Sequence, residues 1–219
     1  MMRGKYLVIE GPDGAGKSTL AAALSTALFQ AGVSVSGTRE PGGTAIGLRI
    51  RESLKNPAIQ RETPPLARRL LFEADRVAHQ EWIRSKVEAG LWVVSDRCAL
   101  VSNHCYGQVE GASREVLRAL TALDADRLNP DLVILLDTPR EQADAWLKPD
   151  GTDPVERDPD LLRQVRAEYD LLRKEVELNS SLHICRMTLP AVVLRGGDVH
   201  PGELAARALE LVRSRLGAP

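Results

Sequence analysis

Near the start of the chain, Gly11-Pro12-Asp13-Gly14-Ala15-Gly16-Lys17-Ser18 fits the pattern G-x-x-x-x-G-K-[ST] in full. Glycines let a backbone wrap so that successive N–H groups converge on phosphate oxygens. A helix beginning at Lys17 would add a partial positive charge of about half a unit behind them. Lys17 supplies a full cation for β- and γ-phosphates, and the Ser18 hydroxyl is placed to ligate Mg²⁺. Gly11 to Thr19 are therefore the expected cradle for Mg-bound nucleoside triphosphate. The motif alone goes no further, because motors, GTPases and kinases share it.

A second set of residues has the chemistry of an acceptor site. A carboxylate repels polyphosphate, so Asp13 is read as facing a second substrate's hydroxyl; the alternative is a surface aspartate that stabilises the following helix N-terminus. Arg39-Glu40-Pro41-Gly42-Gly43-Thr44 sets an arginine before a Gly-Gly turn, which suits anion capture through paired N–H bonds but also suits a solvated loop. Phe72 and Arg76 lie four apart on an expected helix and share a face, so an aromatic plane and a guanidinium could address one base; Phe72 also fits a core position. Asp96-Arg97 follows an apolar run, where open α/β sheets bind ligands. Asp96 is a candidate for the magnesium's water shell and Arg97 for the transferring phosphoryl group, with a buried salt bridge as the alternative.

These residues need a frame. Short Val- and Ile-rich runs alternate with segments of helical period, the order of β-α-β units and a parallel sheet. Expected strands cover Tyr6–Glu10, Val33–Ser36, Leu91–Ser95, Leu132–Leu136 and Ala191–Leu194. Expected helices cover Lys17–Gln30, Leu66–Ala89, Arg114–Leu123, Asp160–Leu178 and a last one from Gly202. The polar stretch Lys148–Pro159 reads as a mobile loop. With 219 residues, 43% apolar and 27% charged, one soluble domain over residues 1–219 is expected. A net charge of −1 gives no basis for binding a nucleic acid polymer. Cys98, Cys105 and Cys185 fit neither a disulfide framework nor zinc spacing. No run approaches a membrane span of about 20 apolar residues, and no leader is evident, so a cytoplasmic location is expected.

Taken together, Glu10 to Thr19, Arg39 to Thr44, Leu70-Leu71-Phe72-Glu73-Ala74-Asp75-Arg76, Ser95-Asp96-Arg97, Ser102-Asn103 with Tyr106, and Asn129-Pro130-Asp131 leading to Leu136-Asp137-Thr138-Pro139 resemble the thymidylate kinase family. The resemblance implies a three-layer P-loop fold, a five-stranded parallel sheet flanked by helices, with a mobile lid at about 140–159 and a homodimer. It implies transfer of a phosphoryl group from ATP, with Mg²⁺, to dTMP. Arg39, Arg76 and Arg97 would serve the acceptor and its phosphate, and Phe72 would stack on the pyrimidine. Asn103 would touch the base, Tyr106 would crowd a ribose 2′-hydroxyl, and Asp13 would bind the 3′-hydroxyl. The chain departs from the family where Cys98 follows Asp96-Arg97, in one extra residue between Arg97 and Ser102, and in an arginine-poor lid where Arg157 is the candidate cation. Those departures keep open a kinase for another, modified pyrimidine deoxynucleotide and a nucleotide-binding relative with little catalysis. A GTP-type switch is disfavoured, because the Asn-Lys-x-Asp guanine-reading pattern is absent.

Overall fold

Strands with no solvent-facing side must be apolar on both faces, and two runs in this chain meet that condition. The computed structural model describes residues 3–123, 127–147 and 158–217. In it, β1 (Tyr6–Glu10) is buried along its whole length, and β4 (Leu132–Asp137) is buried except at its end. Successive residues point to opposite faces. Tyr6, Val8, Val133 and Leu135 enter one core layer, while Leu7, Ile9, Ile134 and Leu136 enter the other.

Two more strands flank β1 and β4. β2 (Val35–Arg39) pairs with β3 (Trp92–Asp96), and β3 pairs with β1, all parallel. β6 (Met187–Arg195) pairs in parallel with β4, and β5 (Ser181–Ile184) pairs antiparallel with β6, so the sheet order is β2-β3-β1-β4-β6-β5. The five parallel strands are those the resemblance implied. The sixth is an edge hairpin strand, turned by Cys185 and Arg186 at φ 51 and 68, the two left-handed positions of a two-residue hairpin loop.

Helices cover both faces. On one, α1 (Lys17–Gln30) packs Leu20, Leu24 and Leu28 beside α9 (Pro201–Leu216) with Ala205, Ala208 and Val212. On the other lie α4 (Pro65–Glu88), α5 (Ala99–Val109) and α8 (Pro159–Asn179), which contribute Ile83, Val87, Val101, Cys105, Val165 and Tyr169. Shorter helices are α2 (Ala45–Lys55), α3 (Pro57–Glu62), α6 (Arg114–Ala122) and α7 (Arg140–Trp146).

The second strand is displaced from its expected place. Val33 closes the end of α1 through its N–H to the Leu28 carbonyl at 3.0 Å. The ladder to β3 then begins at Val35 and carries the strand through Gly37 to Arg39, which faces Asp96 in register. The first part of the expected lid, Arg140–Trp146, is helical; residues 148–157 lie outside the described residues. No helix among the described residues is long and apolar enough to cross a membrane.

Ile134 is fully buried at the middle of the sheet. Ile134→Ala is expected to lower the unfolding free energy by about 2–5 kcal/mol, read as a lower urea midpoint with an unchanged denaturant slope.

Candidate functional site

The C-terminal ends of β1, β2 and β3 meet in register, with Asp96 opposite both Ile9 and Arg39. The loops leaving these ends must therefore converge. They line a continuous cavity of about 640 Å³. One end is formed by Asp13 to Leu20, with Trp146, Gly196, Gly197 and Val199; the other by Arg39, Arg68, Arg69, Phe72, Asn103 and Tyr106.

At the first end, the loop between β1 and α1 is shaped by glycines at φ 150, 78 and 90 (Gly11, Gly14 and Gly16). At Gly14 any Cβ would overlap the Ala143 carbonyl, so α7 rests directly on the loop. No side chain caps α1, which leaves its first N–H groups for an anion. Lys17 is 7% exposed and donates from Nζ to the Pro12 carbonyl at 2.6 Å. Burial, with the nearby Arg97 cation, lowers its pKa to about 8 against the pull of Asp13 and Asp96.

Ser18 hydrogen-bonds Asp96 Oδ2 through its hydroxyl. The other carboxylate oxygen, Asp96 Oδ1, is buried with no hydrogen-bond partner. A buried oxygen without a donor is costly, and beside a hydroxyl it fits the outer sphere of a hard cation. The described residues hold no group of three or more His, Cys, Asp or Glu able to bind a metal alone, so such an ion would need phosphate oxygens as ligands.

Between the two ends stands Arg97, whose φ of 73 is left-handed and uncommon for a side chain of this size. Its N–H bonds the Ile9 carbonyl at 2.9 Å, and Ser95 Oγ donates to its carbonyl at 2.7 Å. The guanidinium donates to Asp13, to the Gly11 carbonyl at 3.2 Å, to Tyr169 Oη at 2.9 Å and to Tyr106 Oη at 3.2 Å. Tyr106 donates in turn to Asp13 Oδ2 at 2.6 Å. Burial would raise the Asp13 pKa, but Arg97, Lys17 and the Tyr106 hydroxyl outweigh it and hold the group at about 2.

Beneath this cluster is Glu10, fully buried at the end of β1. It accepts from the Cys98 N–H at 2.9 Å, Ser102 Oγ at 2.9 Å and Tyr169 Oη at 2.8 Å. Burial raises its pKa, with Arg97 the main opposing influence.

Arg39 is exposed on the cavity wall, and the loop after it is pinned from behind. His79 bonds Glu40 Oε1 through Nδ1 at 2.8 Å and Thr38 Oγ1 through Nε2 at 2.7 Å. Asp75 accepts the Gly42 N–H at 3.0 Å. Burial raises the Asp75 pKa to about 6 although that N–H favours the ionised form. At Gly43 a Cβ would overlap the His79 ring, so only glycine lets the loop lie this close to α4.

Most of the residues singled out from the sequence meet here: Asp13, Lys17, Ser18, Arg39, Phe72, Asp96, Arg97, Asn103 and Tyr106 all line the cavity. Gly11 and Pro12 act through their carbonyls. Arg76 is not part of the cavity lining: it bonds Glu73 Oε2 at 2.6 Å and the Leu120 carbonyl at 3.4 Å. Arg69, seven positions earlier on the same stripe of the helix, lines the cavity instead. Arg157 lies outside the described residues. Sequence reasoning missed Glu10, Arg69, Glu110 and Tyr169. A charged residue closing an otherwise apolar strand was a usable signal for Glu10; the others depend on which helices pack together.

The family model described as thymidylate kinase matches residues 9–185. The thymidylate kinase of Methylobacillus flagellatus is 38% identical over 180 residues, covering 80% of this chain and 86% of that one. That of Carboxydothermus hydrogenoformans is 38% identical over 175 residues, covering 80% and 77%. A thymidylate kinase from Deinococcus radiodurans is 42% identical over 138 residues, 63% of this chain and 66% of its own. Among solved structures, a Candida albicans thymidylate kinase described as having broad substrate specificity superposes with a TM-score of 0.75 at 21% identity, covering 99% and 94% of the two chains. At that identity the superposition speaks for the fold.

A bound polyphosphate would favour charged Lys17 and raise its pKa from about 8. Nucleoside triphosphate binding between about pH 8 and pH 10 is therefore expected to take up a proton and to weaken as pH rises. Calorimetry in buffers of different ionisation heat reads the uptake, and Lys17→Met should abolish it.

Proposed function

The chain belongs to the thymidylate kinase family, and we propose that residues 1–219 act as one catalytic domain whose single cavity holds donor and acceptor nucleotides end to end. Family membership makes it a phosphotransferase that converts dTMP to dTDP with ATP. The observation that carries the site assignment is that Lys17 and Ser18 share one cavity with Arg39, Phe72, Arg97 and Tyr106. A nucleotide-driven switch would have no use for the second group.

The acceptor's own phosphate oxygen is the nucleophile and is ionised at neutral pH, so no general base is required. Catalysis then rests on in-line positioning and charge neutralisation. Lys17 leaves the Pro12 carbonyl for the transferring phosphoryl group. Arg97, already charged and fixed from several sides, neutralises the same group from the acceptor side. Asp13 takes the acceptor's 3′-hydroxyl, Tyr106 closes the space beside the sugar, and Phe72 stacks on the base. Ser18 and Asp96 would hold Mg²⁺ or its water shell, and the ion would supply charge neutralisation at the phosphates. Arg157, beyond the described residues, is assigned as the lid cation.

Two wider proposals follow. Leu66, Leu70 and Val77 are 56%, 48% and 46% exposed and fall on one stripe of α4 at helical spacing. A contiguous exposed apolar stripe favours a protein partner, and a second copy of the chain is the partner proposed. A cytoplasmic location fits three free cysteines, which suit a reducing compartment.

Lys17→Ala is expected to keep the fold, read by circular dichroism, and to lose phosphoryl transfer by about 10²–10³-fold or more in a coupled ADP assay on dTMP. Full retained activity would refute the site assignment. Leu70→Glu is expected to shift the sedimentation of the protein from dimer to monomer; an unchanged monomer before and after would remove the dimer proposal.

A further inference from the structure

β2 lies at the edge of the sheet and has a ladder on one side alone, with β3. Its last residue is Arg39, and the extended course continues past it, because the Glu40 N–H donates to the Asp96 carbonyl at 3.0 Å. Successive side chains of an extended segment point to opposite faces. Thr38 and Glu40 therefore share one face, and Arg39 projects from the other. One imidazole holds both members of the shared face. His79 Nδ1 bonds Glu40 Oε1 at 2.8 Å, and Nε2 bonds Thr38 Oγ1 at 2.7 Å.

The ring has little freedom of its own. His79 is fully buried, Glu40 is 4% exposed, and the imidazole stacks on Trp82 with the ring centres 5.8 Å apart. Nδ1 faces a carboxylate and so carries the proton that it donates. Nε2 faces a hydroxyl, which accepts from a charged ring and donates to a neutral one. Both bonds thus survive either charge state of the imidazole. The turn that follows is fastened from two helices: Asp75 of α4 accepts the Gly42 N–H at 3.0 Å, and Arg51 of α2 donates to the Pro41 carbonyl at 3.0 Å. A buried polar network bonded in this way rigidifies its surroundings and specifies one arrangement. The residue that projects outward between these anchors is Arg39, on the cavity wall.

We propose that His79 is a positioning residue for phosphoryl transfer: by gripping Thr38 and Glu40 together, it fixes the face from which Arg39 meets the acceptor. The proposal rests on the reading of Arg39 as an anchor of the acceptor nucleotide. His79 is not part of the cavity lining, so its influence passes through the backbone between residues 38 and 40. In-line transfer makes that influence consequential, because misplacing a reacting group by about 1 Å can cost about 100-fold in rate. The effect is confined to one substrate. The donor end of the cavity is formed by Asp13 to Leu20 with Trp146, Gly196, Gly197 and Val199, none of which His79 bonds.

The test is a double-mutant cycle on the full-length chain, with steady-state kinetics for dTMP and ATP in wild type, His79→Leu, Arg39→Met and the pair. His79→Leu should lower kcat/KM for dTMP by about 10-fold, less than a full 1 Å misplacement costs. The loss should lie chiefly in KM for dTMP, with KM for ATP unaltered. Arg39→Met should lose at least as much. In the pair, His79→Leu should add little to Arg39→Met, because residues that act through one another are not additive. Thr38→Val removes one of the ring's two partners while keeping the side chain's shape, and it should move KM for dTMP in the same direction by a smaller factor. Where His79→Leu does not fold, as read by circular dichroism, Thr38→Val takes its place in the cycle. Additive losses in the pair, an unchanged KM for dTMP in the variant that carries the cycle, or an equal loss for ATP overturns the proposal and leaves the reading of Arg39 standing. An Arg39→Met enzyme with wild-type kinetics for dTMP defeats that reading, and the proposal with it.

Discussion

The site depends on one largely enclosed guanidinium. Arg97 follows β3 in a left-handed conformation and contacts the P-loop through Asp13 and Gly11, α5 through Tyr106, and α8 through Tyr169. Glu10, at 3.7 Å, supplies a second carboxylate from the end of β1. Removing one member of such a buried cluster leaves the others uncompensated. The cost of the unusual backbone at Arg97 is tolerated because four elements constrain it from different directions. The resulting cation is charged before any substrate arrives, which is what electrostatic preorganisation requires. Without substrate, Lys17 is the less favoured charge: it is buried, close to Arg97, and bonded to a carbonyl of its own loop.

The long helix α4 joins two parts of the cavity wall. His79 and Asp75 pin the loop that presents Arg39, while one to two turns earlier Arg69 and Phe72 line the cavity themselves. A rigid helix keeps the distance between these two parts fixed. The buried polar residues along it (Arg69, Glu73, Asp75, Arg76 and His79) are far from the usual content of a helix's inner face. They are accommodated by bonding one another, Asn103 of α5, Glu110 just beyond it, and the segment from Thr38 to Gly42.

Much of this was readable in advance. β1, β4, α1 and α4 were placed to within a residue or so, because their periodicities are strong and Gly and Pro mark their ends. The second strand was misplaced by two residues at its start and three at its end, since its span depends on the ladder with β3 rather than on its own composition. The edge strand β5 and the helices α2, α3, α5 and α7 escaped notice: their apolar residues are few or irregular, and α2, for one, packs on α4.

The sequence by itself determined the phosphate cradle, the parallel core and the family, because those rest on local spacing: glycines where the backbone must wrap, a lysine at a helix start, apolar residues at periods of two and four. Tertiary structure alone decided which arginine of α4 lines the cavity. Arg69 and Arg76 share a stripe of α4, and spacing cannot distinguish them. The difference lies in what packs against each end of that stripe: Glu110 and Asn103 from the α5 region beside one, and the Leu120 carbonyl of α6 beside the other. What a side chain faces is set by its neighbours in space, and those neighbours are remote in sequence.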